Sequence, residues 1–314
     1  FKQKTAYEIR NCDWSSDVCS SDLGGAGFIG SHIVDRLLDM GHEVIVIDNQ
    51  YSDNEEFYWR EETENHKVDI CDYEATRHLY DGVDYVFHAA AEARIGPAIA
   101  NPINAMNINA LGTCTVLQCA REAGVKKVMY SSTSSAYGLN ESPNIETQPN
   151  NCLNPYSVSK VAGEELCKMY TSLYGLPTII FRYFNVYGER APRKGQYAPV
   201  IGIFIRQKEA GETLTIVGDG HQRRDFVYVG DVANANVMAA ISNSDSEAYG
   251  QVYNVGTGTN YSIRQIAKQI SDDMINIAPR PGEARTTLAN INKIKKTFGW
   301  HPKMKLEDWI NGQK

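Results

Sequence analysis

The glycine-rich stretch Gly24–Gly30, which reads GGAGFIG, decides the fold of this 314-residue chain. It opens a segment in which apolar residues such as Ile33 and Leu37 recur at helical spacing, and Gly41 ends that segment. A glycine turn before a helix lets the backbone approach a pyrophosphate group. Asp48 ends the next apolar strand, near the spacing of about 20 residues at which a carboxylate binds a ribose diol and repels a 2′-phosphate. These features predict a dinucleotide site that favours NAD over NADP, although a simple glycine turn and a solvated strand-end Asp would give the same residues.

The residues just before the glycine turn are polar at a place where the fold needs a buried strand. The first strand of a doubly wound sheet has neighbours on both sides and should be apolar, yet Ser20–Leu23 reads SSDL. Back-translated, residues 2–9 and 13–23 resemble the constant parts of a sequencing adapter, so we interpret residues 1–23 as a non-native segment. A genuine polar extension or a secretory signal is the alternative, but the segment lacks the apolar run of a signal. Because total stabilities are only about 5 to 15 kcal/mol, we predict that Val18–Leu23 is drawn into the strand position and that this chain folds poorly.

Composition and charge narrow the class of protein. Hydrophobic residues make up 42% and charged residues 22% of the chain, as in globular rather than disordered proteins. The net charge of -7 argues against nucleic acid or an anionic membrane as the main partner. No apolar run reaches the roughly 20 residues that span a bilayer. The cysteines show no zinc-binding spacing, so we expect no metal site, reduced thiols and a cytoplasmic location.

Short apolar strands alternate with helical patterns as far as about residue 184. This alternation predicts an α/β fold, a doubly wound parallel (Rossmann) sheet with helices on both faces. Beyond it Gly, Pro and charged residues become frequent, so we predict a smaller C-terminal substrate lobe with a return to the sheet near Phe226–Val229. The predicted domains are 24–183 with about 226–255 for the cofactor, and 184–225 with about 256–314 for the substrate. The predicted strands are Val44–Ile47, Tyr85–Phe87, Lys127–Tyr130 and Thr178–Phe181, and the predicted helices lie near 103–123 and 156–174.

A candidate catalytic group follows the predicted strands. Ser131–Thr133 comes after one strand, and Tyr156 and Lys160 lie four residues apart on a helix, so the last two share a face. An ammonium beside a phenol lowers the phenol pKa from about 10, which would make Tyr156 a base for an alcohol proton near neutral pH. Thr133 can donate a hydrogen bond to the same substrate oxygen. The small residues of His88–Ala91 let a cofactor lie against a strand end, although a tight core junction would also use alanines, and a Tyr and Lys at this spacing also occur by chance.

In this order the motifs resemble those of nucleotide-sugar epimerases in the extended short-chain dehydrogenase/reductase family, from Gly24 to about Trp300. The glycine motif departs from the family at Leu23, where the family has Thr. The resemblance implies bound NAD, a nucleotide-sugar substrate and catalysis by the Tyr, Lys and Thr named above. It assigns the cofactor to Gly24, Gly27, Phe28, Ile29, Gly30, Asp48, Asn49, Asp69, Ile70, Ala89, Ala90, Asn109, Ser131, Lys160 and Tyr183. It assigns the substrate to Thr133, Asn185, Arg224, Arg280, Glu283 and Thr287.

The resemblance also separates the reactions that this site could catalyse. Family dehydratases carry an Asp-Glu pair beside the active-site Thr, and family decarboxylases a Glu two residues beyond it, whereas Ser134 and Ser135 hold those places here. We therefore predict inversion at C4 of a UDP-hexose through a 4-keto intermediate. The alternatives are a dehydratase or decarboxylase with a substitute acid, and a non-catalytic NAD-sensing module. Thr287 aligns with a family position that is small in enzymes accepting N-acetyl sugars, which predicts partial use of UDP-GlcNAc.

Two further expectations concern phosphate binding and assembly. Arg224 and Arg280 are predicted as bidentate ligands of the substrate diphosphate, and a solvated surface arginine is the alternative for each. The resemblance implies a homodimer through the helices near 103–123 and 156–174, whose apolar faces could equally belong to the core.

Overall fold

The computed structural model describes residues 18–51, 56–193, 198–279 and 284–313. Strands and helices alternate through most of these ranges. The strands are β1 (Cys19–Leu23), β2 (Glu43–Ile47), β3 (Glu64–His66), β4 (Tyr85–His88), β5 (Lys127–Thr133), β6 (Thr178–Tyr183), β7 (Asn185–Tyr187), β8 (Leu214–Val217), β9 (Arg223–Tyr228), β10 (Gln251–Val255), β11 (Asn260–Ser262) and β12 (Met274–Ile277). The α-helices are α1 (Phe28–Leu38), α2 (Tyr73–Thr76), α3 (Ile95–Ala100), α4 (Pro102–Met106), α5 (Thr113–Glu122), α6 (Pro155–Tyr174), α7 (Val200–Glu209), α8 (Val229–Ile241), α9 (Ile263–Ile270), α10 (Asn292–Phe298) and α11 (Leu306–Gly312).

Seven parallel strands form the central sheet in the order β10-β6-β5-β4-β1-β2-β3. This is the doubly wound order 3-2-1-4-5-6 with β10 added at one edge. The predicted α/β Rossmann sheet is therefore confirmed. Because the strands are parallel, the carboxyl ends of β1, β2, β4 and β5 meet at one edge, where such sheets bind their ligands.

The central strand β1 is formed by the polar residues that the sequence places before the glycine turn. It pairs with β2 on one side and β4 on the other, with Asp22 opposite Val46 and Phe87. Ser20, Ser21 and Asp22 are fully buried. As predicted, these residues occupy the first-strand position, while their origin in an adapter stays a prediction.

Three apolar cores hold the layers together. Phe181 and Ile33 of α1 belong to the core on one face of the central sheet, and Leu23 and Val116 of α5 belong to the core on the other. A third core, around Phe204, fills the C-terminal part of the chain. Within the described residues, no helix is both long enough and apolar enough to cross a bilayer.

The smaller lobe contains two short sheets of its own. One is three-stranded in the order β11-β9-β7, and the other pairs β8 with β12. The prediction that residues Phe226–Val229 return to the central sheet is wrong, because β9 pairs with β7 and β11 instead. The return is made by α8, which packs on α1, and by β10, which pairs with β6.

The helix predicted near 103–123 is a continuous run from Pro102 to Glu122 whose middle, Asn107–Gly112, is a π-helix. Segments of π-helix are rare and often lie at functional sites. Here the π segment carries Asn109, which lies beneath the cofactor edge of the sheet. The second predicted helix is α6, which begins at Pro155 after a capping box at Asn154.

Candidate active site

The glycine turn packs so closely that side chains would not fit. Gly24 has a φ of +79°, a conformation that favours glycine, and a Cβ placed on it would lie 2.8 Å from the Ala90 backbone nitrogen. A Cβ on Gly30 would collide with the Gly24 carbonyl oxygen. No side chain among the described residues caps α1, whose N-cap is Gly27, so its first N–H groups can bind a phosphate.

Acidic and amide side chains follow the ends of β2 and β3. Asp48 accepts hydrogen bonds from the backbone nitrogens of Ala26 at 3.2 Å and Gln50 at 2.7 Å. Burial raises the pKa of Asp48. Asn49 donates to Asp69 at 3.0 Å, which ties the end of β2 to the loop after β3. This arrangement places hydrogen-bond acceptors where the ribose and base of a dinucleotide would lie.

A cavity of about 350 Å³ lies over this edge of the sheet. Asn109, Ser131 and Lys160 are not among its wall residues. Asn109 instead bonds both backbone groups of Glu92, at 2.8 and 3.0 Å, so it supports the wall from behind. The predicted residues that do line the cavity are Gly24, Gly27, Phe28, Ile29, Gly30, Asp48, Asn49, Asp69, Ile70, Ala89, Ala90, Thr133, Tyr156 and Tyr183.

The candidate catalytic residues lie where β5 meets α6. Thr133 ends β5, and its hydroxyl lowers the pKa of the Tyr156 phenol, which favours the phenolate. Lys160 lies one turn further along α6, fully buried, with its ammonium 4.4 Å from the centroid of the Tyr130 ring. The Tyr and Lys thus share a face of one helix, as their spacing predicts.

The predicted lowering of the Tyr156 pKa is wrong for this structure. Burial raises that pKa from its usual value, and the Glu92 carboxylate adds to the rise, while the Thr133 hydroxyl opposes it. Burial also lowers the pKa of Lys160 to about 7. Burial therefore disfavours the ammonium form of Lys160, and the pKa of the phenol is set mainly by its own burial.

A buried ion pair fixes α6 to the sheet below the catalytic residues. Glu164, one turn beyond Lys160, accepts hydrogen bonds from Arg182 of β6 at 2.8 and 2.6 Å and from Ser132 of β5 at 2.5 Å. Both charged side chains are at most 2% exposed. Because leaving one buried charge unpaired is costly, this pair strongly constrains where α6 lies.

A second cavity of about 370 Å³ adjoins the first and extends into the smaller lobe. Thr133, Tyr156 and Tyr183 line both cavities. Ser134 and Ser135 also line the second one, so the positions that carry acids in the dehydratases and decarboxylases hold hydroxyls at the wall. The two cavities meet at the candidate base.

The predicted substrate residues are only partly gathered at this second cavity. Asn185 and Arg224 line it. Thr287 is not among its wall residues, and its hydroxyl accepts long hydrogen bonds, both 3.4 Å, from the Asn185 side chain and the Asp225 backbone. Arg280 and Glu283 lie outside the described residues. The structure therefore links Thr287 to the site through Asn185.

Several residues of the cavity walls are not among those that the sequence predicts. Arg94 lines both cavities, and Tyr51 lines the first. Gln222 and Thr215 line the second cavity. Arg94 could have been noticed, because it follows His88–Ala91 at the end of β4, whereas the others have no local signal.

The fold and this edge define a dinucleotide-binding α/β enzyme with a second cavity for a substrate. The chain belongs to the NAD dependent epimerase/dehydratase family, whose model matches residues 23–256, and its cofactor is NAD. A putative UDP-glucose 4-epimerase of Methanocaldococcus jannaschii is 39% identical over 91% of this chain and 94% of that protein. A UDP-N-acetyl-alpha-D-glucosaminuronate decarboxylase of Bacillus cytotoxicus is 37% identical over 79% of this chain and 77% of that protein.

Solved structures that resemble this chain also include UDP-glucose 4-epimerases. The UDP-glucose 4-epimerase of Thermotoga maritima, solved with UDP-glucose, has a TM-score of 0.88 and 34% identity, covering 93% of this chain and 96% of that one. The Thermus thermophilus UDP-glucose 4-epimerase, solved with NAD, has a TM-score of 0.84 and 33% identity, covering 93% and 96%. The chain is thus an NAD-dependent enzyme of a family that contains both epimerases and decarboxylases.

Proposed function

We propose that the chain inverts C4 of a UDP-hexose, interconverting UDP-glucose and UDP-galactose through a 4-keto sugar. The observation that carries this proposal is that Thr133 and Tyr156 line both cavities, so both face a sugar that enters from the second one. The hydroxyls of Ser134 and Ser135 offer no carboxylate for elimination or decarboxylation. The Methanocaldococcus jannaschii relative, named as a putative UDP-glucose 4-epimerase, supports the same proposal.

In this proposal Tyr156 accepts the proton of the C4 hydroxyl and later returns it. Thr133 would donate its hydrogen bond to the same oxygen when the sugar is bound, and without substrate its hydroxyl lowers the pKa of Tyr156. Lys160 lies below, where its ammonium favours a phenolate whenever it is protonated. The ion pair between Glu164 and Arg182 keeps both groups in place by fixing α6.

The cofactor residues hold NAD along the sheet edge. The first turn of α1 would bind the diphosphate, Asp48 the ribose hydroxyls, and Tyr183 the nicotinamide end of the first cavity. Bound there, NAD would supply the hydride acceptor and donor for C4, with no net oxidation or reduction over the cycle. Asn109 and Ser131 act behind the wall, with Ser131 bonded to the Tyr183 hydroxyl at 3.1 Å.

The second cavity would hold the nucleoside diphosphate and leave the sugar free to turn. Arg224 is the candidate for the diphosphate, and Asn185 for a contact at the sugar end. Thr287 is small, which favours acceptance of N-acetyl sugars. A UDP-N-acetylglucosamine 4-epimerase of Methanobrevibacter ruminantium, 33% identical with a TM-score of 0.87, agrees with that extension.

The replacement of Tyr156 by Phe tests this proposal. Loss of a general base lowers turnover by roughly 100- to 10,000-fold, so we expect UDP-galactose formation from UDP-glucose to fall by that factor. The Kd for UDP-glucose should change little, because the ring and its packing remain. Product formation is read by NMR and binding by calorimetry.

Controls and alternatives use the same assay. Tyr174→Phe removes a hydroxyl at the far end of α6 and should leave turnover unchanged. Full activity of Tyr156→Phe would overturn the assignment of the base. A UDP-pentose formed from UDP-glucuronate alone would indicate a decarboxylase, and no product from UDP-glucose, UDP-GlcNAc or UDP-glucuronate would favour the NAD-sensing module.

A further inference from the structure

One buried carboxylate of the smaller lobe takes no part in the proposed chemistry. Asp225 lies in β9 and is fully buried. Its neighbours along the strand, Arg224 and Phe226, both line the second cavity, whereas Asp225 is not among the wall residues of either cavity. Because successive side chains of a strand point to opposite faces, the Asp225 carboxylate lies on the face of β9 that is turned away from the cavity. It therefore cannot contact a ligand there directly.

The carboxylate of Asp225 accepts four hydrogen bonds. One oxygen accepts from the backbone nitrogen and the hydroxyl of Thr257, at 2.8 and 2.7 Å. The other accepts from the backbone nitrogens of Gly258 at 2.9 Å and Ala289 at 3.0 Å. Burial raises the pKa of Asp225, and these bonds oppose the rise because they favour the ionised form. The side chain thus joins β9 to the loop after β10 and to the segment before α10.

The backbone of Asp225 holds two of the residues that were predicted to bind the substrate. Its carbonyl oxygen accepts a hydrogen bond from the Asn185 side chain at 3.0 Å, and its N–H donates to the Thr287 hydroxyl at 3.4 Å. Asn185 lines the second cavity and also donates to the Thr287 hydroxyl. These three residues therefore form one hydrogen-bonded group at the cavity wall.

The segment that carries Thr287 is fixed to β9 at two points. The backbone nitrogen of Thr287 donates to the Arg223 carbonyl oxygen at 3.1 Å. Two residues further on, Ala289 donates its N–H to the Asp225 carboxylate. The carboxylate therefore determines how this segment lies against β9, and with it the distance between Thr287 and Asn185.

We propose that Asp225 is a positioning residue for the substrate, whose carboxylate holds β9 and the segment around Thr287 where Arg224 and Asn185 can bind a sugar nucleotide. The inference rests on the proposed function, which gives Arg224 and Asn185 to the substrate. Its effect is on binding, so it can be measured whether or not the bound sugar is turned over. A buried carboxylate that loses an acceptor oxygen leaves donors unpaired, and the elements it joins would then move apart.

Replacement of Asp225 by Asn tests the proposal. The amide keeps the size of the side chain, but its NH₂ group faces two hydrogen-bond donors whichever oxygen it replaces. Calorimetry should show the Kd of UDP-glucose and of UDP raised roughly 10-fold, the loss of about one net hydrogen bond. The Kd of NAD should not change. KM for UDP-glucose should rise by a similar factor while kcat stays nearly constant, the pattern of a loss in substrate binding.

Asp231 provides a matched control in the same part of the chain. It is also a buried carboxylate held by backbone N–H groups, those of Lys303 at 2.9 Å and Met304 at 3.0 Å, and it is not among the wall residues of either cavity. Asp231→Ala removes these two bonds, so it should lower the melting temperature. It should leave the Kd of UDP-glucose unchanged, which separates positioning from a general loss of stability.

A double-mutant cycle shows whether Asp225 acts through Asn185. In an Asn185→Ala background, Asp225→Asn should raise the Kd of UDP-glucose by a smaller factor than in the wild type, because coupled residues are not additive. Equal factors in the two backgrounds would overturn the proposal. Unchanged binding of UDP-glucose and UDP in a folded Asp225→Asn variant would also overturn it.

A milder variant covers the case in which Asp225→Asn does not fold. Thr257→Val removes the hydroxyl donor to the carboxylate and keeps the backbone bond, so it should raise the Kd of UDP-glucose by a smaller factor. An unchanged Kd in this variant would count against the proposal. A wild type whose binding of UDP-glucose depends on Asp225 but which forms no UDP-galactose would refute the proposed function and leave this inference standing.

Discussion

Asp22 is an acidic residue in a fully buried position. Both of its carboxylate oxygens are buried without a hydrogen-bond partner among the described residues, in the centre of the seven-stranded sheet. Burial, with a smaller contribution from Asp48, raises its pKa well above the usual value. An acid with a raised folded-state pKa binds an extra proton in the folded chain at intermediate pH, so stability falls as pH rises above the unfolded value of about 3.9.

Replacing Asp22 should therefore stabilise the protein, most strongly at neutral and alkaline pH. We expect Asp22→Asn to raise the melting temperature at pH 8 more than at pH 5, since the amide cannot ionise. Asp22→Val should raise the melting temperature further, because it also removes the unpaired polar atoms. The expected gain in the free energy of unfolding is about 1 to 3 kcal/mol. Thermal melts at the two pH values measure both effects. Asp81→Asn, at an exposed loop position, is the control, and identical melting of Asp22→Val and the parent chain would contradict the prediction of poor folding.

Local spacing was enough to find Tyr156 and Lys160, because residues four apart share a helix face in any fold. The direction of their pKa shifts was not available from spacing. Burial of both groups decides it, and burial depends on how α6 packs against β5 and β6. Local spacing also could not predict that Arg94 lines both cavities, because this depends on where β4 and the smaller lobe lie relative to each other.

At the scale of elements, the strands that were predicted are those that are buried on both faces. Such strands read as continuous apolar runs, as Val44–Ile47 and Thr178–Phe181 do. The sheet that a strand joins was harder to predict than the strand itself. The strand at Arg223–Tyr228 ends in apolar residues as the central strands do, but it pairs with β7 and β11. The choice between two sheets is made by long-range pairing. The π segment inside the helix from Pro102 to Glu122 also has no signature in the sequence.

For the molecule as a whole, we propose the domain division given by the sequence, with 24–183 and about 226–255 binding NAD, except that the end of β9, up to Tyr228, belongs to the smaller lobe. The remaining lobe would bind the substrate, and the catalytic residues lie between the two cavities. We also propose a homodimer through α4–α5 and α6. Large apolar side chains are exposed on these helices, including Ile103 at 73%, Leu111 at 57% and Leu173 at 65%. Exposed apolar residues grouped on neighbouring helices mark an interaction surface.

The double replacement Ile103→Lys with Leu111→Lys should convert the proposed dimer to a monomer. Two charges on each copy would be buried at the interface, at a cost that a contact of ordinary size does not offset. Sedimentation velocity measures the change, and replacement of Ile275 by Lys, at an exposed site in β12, serves as the control. A wild type that is already monomeric at micromolar concentration would show that the apolar face has another role.

The central step of the proposed reaction is oxidation and reduction at C4 of the sugar, with Tyr156 moving the proton. UDP-glucose that carries deuterium at C4 tests this directly. The hydrogen leaves as hydride and returns to the same carbon from bound NAD without exchanging with water. We expect UDP-galactose with the deuterium retained at C4, read by NMR. UDP-galactose that has lost the deuterium to water would contradict it.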